Sequence, residues 1–278
     1  MKAPPAPQPE PLPRPAFDAH THLEMLSEPV GKVLADASAA GVARVVTVGC
    51  DVESSRWAAA CAAGHAGVYA AVAIHPNETG RAQAGPGTGG LAGRDAVLAE
   101  IARLAGLPRV RAVGETGLDY YRHSSPPEVQ REWFRAHIEI ARQSGKALMI
   151  HDRDAHEDVL DILDQQGAPG QVVFHCFSGD AELAKRCAEA GYVMSFAGNV
   201  TFPGAVRLRE AAAAAPAELI LIETDAPFLT PVPNRGRQNA PAQVAHTLRA
   251  VAELKQLDIA ELCAVVTSNG ERVFGPWE

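Results

Sequence analysis

Short, almost uninterrupted apolar runs alternate with longer segments of helical period from one end of the chain to the other. Strands are predicted at 16–23, 43–49, 68–74, 110–114, 147–150, 171–174, 192–196 and 219–222. Several carry apolar side chains at consecutive positions, as in Val45-Val46-Thr47-Val48 and Val172-Val173-Phe174. A strand with one wet face alternates apolar and polar residues. A continuous apolar run has both faces covered, which points to a parallel sheet flanked by helices. The intervening segments supply those helices. Residues 128–143 set Trp133, Phe134, Ile138 and Ala141 on one stripe. Residues 181–190 follow Asp180 as an N-cap and stop before Gly191. Further helices are predicted at 95–105, 241–256 and 258–266, and the Gly- and Ala-rich stretch 83–94 reads as a surface loop.

Eight strand-then-helix units in 278 residues predict an α/β fold of the (β/α)8 TIM-barrel type. One domain would span 16–278, behind a tail formed by residues 1–15. A doubly wound open sheet is the alternative, because periodicity does not show closure. No glycine-rich dinucleotide fingerprint follows the first strand, which weighs against it.

Composition narrows the class. Hydrophobic residues make up 47% of the chain, enough for one large core. The net charge of −8 disfavours non-specific coating of nucleic acid, which depends on neutralising phosphates with Lys and Arg. It leaves room for an enzyme that handles a phosphodiester transiently, since a metal site carries its own positive charge. The five cysteines contain no C-x-x-C pair and read as reduced thiols of a cytoplasmic protein. Seven of the first 15 residues are proline, so the tail is expected to be extended and mobile rather than a signal-peptide core. No apolar run is long enough for a membrane span.

The chemistry lies where the strands end. In a parallel barrel the C-terminal strand ends converge on one mouth, where active sites sit. The first strand ends in His20 and His22, two imidazoles on the same side because strand side chains alternate. The third ends in His75, the fourth in Glu115, the fifth in His151, the sixth in His175 and the eighth in Asp225. Four of these imidazoles and the two carboxylates suit a pair of divalent cations about 3.5–4 Å apart that clamp both oxygens of a displacement. Glu115 is the expected bridge, because each carboxylate oxygen can take one ion. His20, His22 and Asp225 would complete one site, and His151 and His175 the other. Asp225 is also placed to take the proton of an attacking water. His75 and Arg153 are substrate-binding candidates, the latter through a charge-assisted bond to phosphate. Tyr120, Tyr121, Phe177 and Phe202 are candidates for base stacking. His65, His123, His137, His156 and His246 lie away from strand ends and are assigned no role.

These segments resemble the TatD-type metal-dependent deoxyribonucleases, a branch of the amidohydrolase-like barrel hydrolases. The shared elements are Asp18-Ala19-His20-Thr21-His22-Leu23, Ala73-Ile74-His75-Pro76, Gly114-Glu115-Thr116-Gly117-Leu118-Asp119, Ile150-His151-Asp152-Arg153, His175-Cys176-Phe177-Ser178-Gly179, Glu223-Thr224-Asp225-Ala226-Pro227 and Pro231-Val232-Pro233-Asn234-Arg235-Gly236. They run from 17 to about 275. The resemblance implies a TIM-type barrel, the ligand roles assigned above, two divalent cations (Zn2+, Mg2+ or Mn2+) and 3′→5′ exodeoxyribonuclease or related phosphodiesterase activity on DNA, with RNA a second candidate. Asn77 stands where the family often has a second histidine, and Thr116 where isoleucine is common. A small-molecule ester, lactone or amide hydrolase using the same two cations is the alternative function, since fold and metals do not fix the substrate. A non-catalytic binding protein would need a degenerate ligand set, and this one is complete. No obligate protein or membrane partner is implied.

Overall fold

A computed structural model describes residues 3–84 and 92–276. Eight strands form one sheet in sequential order: β1 Ala16–Thr21, β2 Val42–Val48, β3 Val68–Val72, β4 Val110–Asp119, β5 Ala147–Arg153, β6 Val172–Phe174, β7 Val193–Phe196 and β8 Ile220–Ile222. The helices between and after them are α1 Val30–Ala39, α2 Val52–Gly64, α3 Thr79–Ala84, α4 Arg94–Ala105, α5 Pro127–Ser144, α6 His156–Gln166, α7 Ala181–Glu189, α8 Val206–Ala214, α9 Val244–Lys255 and α10 Ile259–Phe274. Neighbouring strands are parallel, and just past β8, Ala226 pairs in parallel with Thr21 of β1. The sheet is that of a (β/α)8 barrel. Every residue of β1, β3, β6, β7 and β8 is buried, as strands covered on both faces must be. No helix among the described residues is long and apolar enough to cross a membrane.

The described residues fall into two compact units, one within residues 1–46 and 176–278 and the other within 47–175. In the first, α7 begins as its sequence predicts: the Asp180 carboxylate accepts from the amides of Glu182 and Leu183, both at 3.1 Å. The predicted helix 258–266 instead runs on to Phe274, through Gly270. Glycine lowers helix propensity, but a Cβ at that position would collide with the ring of Phe17 on β1, so close packing demands it. The predicted helix 241–256 opens with a 3-10 turn, Pro241–Gln243, before α9 begins. The proline-rich segment is extended but docked rather than loose. Ala6 N donates to Gln238 O at 3.3 Å, Leu12 N to Ala40 O at 3.0 Å, and Arg249 to Glu10 O at 2.7 Å, while Leu12 is buried.

In the second unit the stripe predicted on α5 is its core face: Trp133, Phe134, Ile138 and Ala141 are fully buried. The larger difference from the sequence reading is the length of β4. Its glycines suggest an end at Gly114, yet the strand continues to Asp119. Register with β5 passes from Val113↔Leu148 to Thr116↔Ile150, so β4 carries one extra residue there, a β-bulge at Gly114 and Glu115. Such a bulge re-aims side chains, and this one falls on the carboxylate predicted to matter most. Gly117, at φ +132°, then allows β4 to pass the carbonyl of His151, which any side chain would strike. Most of the predicted loop 83–94 lies outside the described residues.

Candidate metal-binding clusters

In the first unit, the chain leaving β8 runs alongside the end of β1. Asp225 N donates to His20 O at 2.9 Å and His22 N to Ala226 O at 2.8 Å. Asp18, fully buried, reinforces the seam by accepting from Thr224 N at 2.8 Å and from its hydroxyl. Burial pushes the Asp18 carboxyl well above its usual range, against the opposing pull of the Thr224 hydrogen bonds. Asp225 adopts a left-handed backbone, φ +53°, a conformation a short polar side chain tolerates better than most. The result is a triangle. His20 Nε2 and His22 Nε2 lie 3.3 Å apart, and Asp225 Oδ1 is 3.7 and 3.5 Å from them. A point equidistant from the three atoms lies about 2.0 Å from each, the length of a Zn–N or Zn–O bond. The two imidazoles are almost wholly buried and the carboxylate side chain is 14% exposed, which leaves an approach to the triangle from solvent.

The second unit holds a second cluster around Glu115, itself buried. Its Oε2 lies 2.8 Å from His175 Nε2, 3.3 Å from His151 Nδ1 and 3.7 Å from His75 Nε2, while the Cys50 thiol donates to Oε1 at 3.5 Å. Burial alone would raise the Glu115 pKa, but the imidazoles of His175 and His75 and the hydrogen bonds from His151 and His175 hold it well below the usual carboxylate range. His151 has a second partner. Its Nε2 lies 3.2 Å from Asp119 Oδ2; protonated on both nitrogens it bonds both carboxylates, and with the proton on Nε2 alone its Nδ1 lone pair faces Glu115. Two lone pairs facing one another at that separation need a proton or a cation between them. Burial disfavours a charged His151, yet the Asp119 and Glu115 carboxylates raise its pKa. The donors present therefore fit a divalent ion.

Asp119 is itself firmly held. Its Oδ1 accepts from the amides of Tyr121 and Arg122 at 3.0 and 2.8 Å, and Asn77 Nδ2 donates to Oδ2 at 3.0 Å. Burial would raise the Asp119 pKa, but these bonds and that from His151 lower it strongly. A carboxylate that fixes the tautomer and orientation of an imidazole commonly stands behind a histidine ligand. Asp119→Ala is expected to weaken divalent-cation binding or turnover by about 10–100-fold, read by metal titration and initial rates. An unchanged affinity and rate would remove Asp119 from the site.

The family described as TatD related DNase matches residues 17–275. The chain belongs to the TatD family. It is 45% identical over 267 residues to the metal-dependent hydrolase TatD of Mycobacterium tuberculosis, covering 93% of this chain and 97% of that one. It is 36% identical over 261 residues to the metal-dependent hydrolase YabD of Bacillus subtilis, covering 93% and 98%. The crystal structure of YjjV, a TatD homologue from Escherichia coli, superposes with a TM-score of 0.85 at 25% identity, covering 94% of this chain and 98% of that one. This TatD protein is accordingly a metal-dependent hydrolase on a (β/α)8 barrel.

Within this TatD chain, the residues predicted from strand ends fall into the two clusters: His20, His22 and Asp225 in one, Glu115, His151, His175 and His75 in the other. The Arg153 guanidinium lies over the Tyr121 ring, 4.1 Å from its centroid. Of the stacking candidates, Phe177 is buried in the core against Phe196, and the Tyr120 hydroxyl is committed to Asp158 and Arg131. Sequence reasoning gave Asp18 and Asp119 no role. Asp119 becomes visible only once β4 is read through its glycines. His137, which carries no signal in the sequence, is a fully buried imidazole 2.7 Å from Thr116 Oγ1, next to Glu115. Burial lowers its pKa to about 3, so it is neutral, accepting at Nε2 from Ile74 N and donating from Nδ1 to Thr116. That pairing gives the buried Thr116 hydroxyl a partner.

Proposed function

We propose that this TatD protein is a two-metal phosphodiesterase that removes nucleotides from a DNA end, in the 3′→5′ direction. The observation that carries the reading is the His20–His22–Asp225 triangle, whose dimensions match a bound divalent ion, in a chain that the DNase family spans almost completely. One cation is assigned to each cluster. Glu115 is proposed as the anionic ligand of the cation in its own cluster, beside His151 and His175. The mixture of imidazole and carboxylate accepts Zn2+, Mn2+ or Mg2+. When bound, such ions polarise the phosphoryl oxygens and acidify a water toward neutral pH.

The chain's own residues do the rest. Asp225 is proposed to take the proton of the attacking water in addition to its role as a ligand. His75 is given a different part from the other histidines. Its Nδ1 accepts from Asn77 N at 3.0 Å, so the ring proton sits on Nε2 and makes His75 a donor, suited to a phosphate oxygen or a water rather than to a cation. Arg153, held over Tyr121, is proposed to meet a second phosphate oxygen.

Incubating the purified protein with end-labelled single-stranded DNA, with and without Mg2+ or Mn2+, tests the reading. Progressive shortening from the 3′ end that depends on the metal is expected. Failure with every divalent metal, alongside turnover of a lactone or simple ester, would assign the site to small-molecule hydrolysis instead.

A further inference from the structure

We propose that Phe228 is a stacking platform for the terminal base of the DNA substrate, beside the cluster that takes the scissile phosphate; the inference rests on the nuclease reading above. Phe228 is 51% exposed. Its ring meets the His22 imidazole edge-to-face, with centroids 6.1 Å apart and planes at 76°. The rest of the residue is tied down. Its amide donates to Asp225 O at 2.8 Å, and its carbonyl accepts from Asn239 Nδ2. Asn239 is buried and also donates to Thr224 O at 3.0 Å, in the stretch that delivers Asp225. Both the peptide and the ring of Phe228 are thus anchored to the residues of the His20–His22–Asp225 triangle.

Folding gains little from a phenyl face left in water. A ring held still while exposed is instead prepared for a ligand, because less of its freedom remains to be lost on binding. The ligand chemistry follows from the neighbour. A phosphodiester whose phosphate reaches the triangle carries its base a few ångströms away, across the sugar. Every nucleobase has a π face, so an aromatic side chain in that place binds the end of a strand with little regard to sequence. Two other aromatics with exposed surface are engaged differently: Tyr121 and Phe202 each carry a guanidinium over the ring, from Arg153 at 4.1 Å and Arg235 at 4.2 Å.

The test compares two single-stranded oligonucleotides that differ only at the 3′ terminal residue, a normal nucleotide or its base-free tetrahydrofuran analogue. For the wild type with Mg2+ or Mn2+, kcat/KM is expected to favour the normal end by roughly 5- to 150-fold, chiefly through KM. Phe228→Ala should bring that ratio close to one while bound metal, measured directly, stays at the wild-type level. Phe228→Trp should keep the preference, which separates stacking from simple disturbance of the loop. A wild type indifferent to the missing base, or a Phe228→Ala variant with the preference intact, overturns the stacking role and leaves the nuclease reading standing. A metal-loaded protein that cleaves neither oligonucleotide overturns both.

Discussion

Glu115→Ala is expected to lower turnover by about 10³-fold or more, equivalent to about 4 kcal/mol of lost transition-state stabilisation. The same substitution should reduce bound divalent metal from about two ions per chain to about one. Glu115 is the carboxylate of the second cluster, and its Oε2 faces three imidazoles within 3.7 Å. Removing it leaves neutral nitrogens with no charge to hold a dication, and cation affinity falls with the charge of the ligand set. Elemental analysis of the dialysed protein, together with initial rates, reads both effects. Circular dichroism confirms that the variant is folded. A folded Glu115→Ala protein with full metal content and normal turnover would refute the role assigned to this residue.

Asp225 supports a second large effect with a different signature. It supplies the negative charge of the first cluster, so Asp225→Ala should lose the ion held by His20 and His22. The ion of the other cluster should remain, giving about one equivalent per chain. Asp225→Asn is the sharper variant, because its amide oxygen can still ligate but cannot take a proton. With saturating Mn2+ restoring occupancy, Asp225→Asn should remain slower than wild type by about 10²–10⁴-fold, the usual contribution of a positioned base. Wild-type turnover by a metal-saturated Asp225→Asn protein would leave Asp225 as a ligand only.

How far each prediction was readable in the sequence varies with the residue. The pair His20 and His22 needed only the period of a strand, and the ligand types at the ends of β5, β6 and β8 needed only the rule that parallel strands gather their C-terminal ends. The extent of β4 was not legible. Glycines at 114 and 117 look like a strand end in a one-dimensional pattern, whereas in the folded chain they allow a bulge and a close passage by the His151 carbonyl. With the strand cut short, Asp119 looked like a loop residue rather than the buried partner of His151. The proton on His75 Nε2 was equally hidden, since it depends on a backbone amide two residues along turning back to Nδ1.

Legible along the chain are the alternation of doubly covered strands with helices, the order in which they recur, and the donor atoms available at the strand ends. Those features follow from local hydrophobic period and residue chemistry, which do not require knowledge of distant neighbours. Tertiary structure alone decided that Asp225 lies within 3.7 Å of both His20 and His22, because the chain leaving β8 runs alongside β1 and bonds to it through Asp18, Thr224 and the backbone of His20. It also decided that Asp119 orients His151 and that the Phe228 ring stands exposed against a proposed ligand. Each is a contact between residues far apart in sequence or a choice of which face meets water, and both arise only when the elements pack.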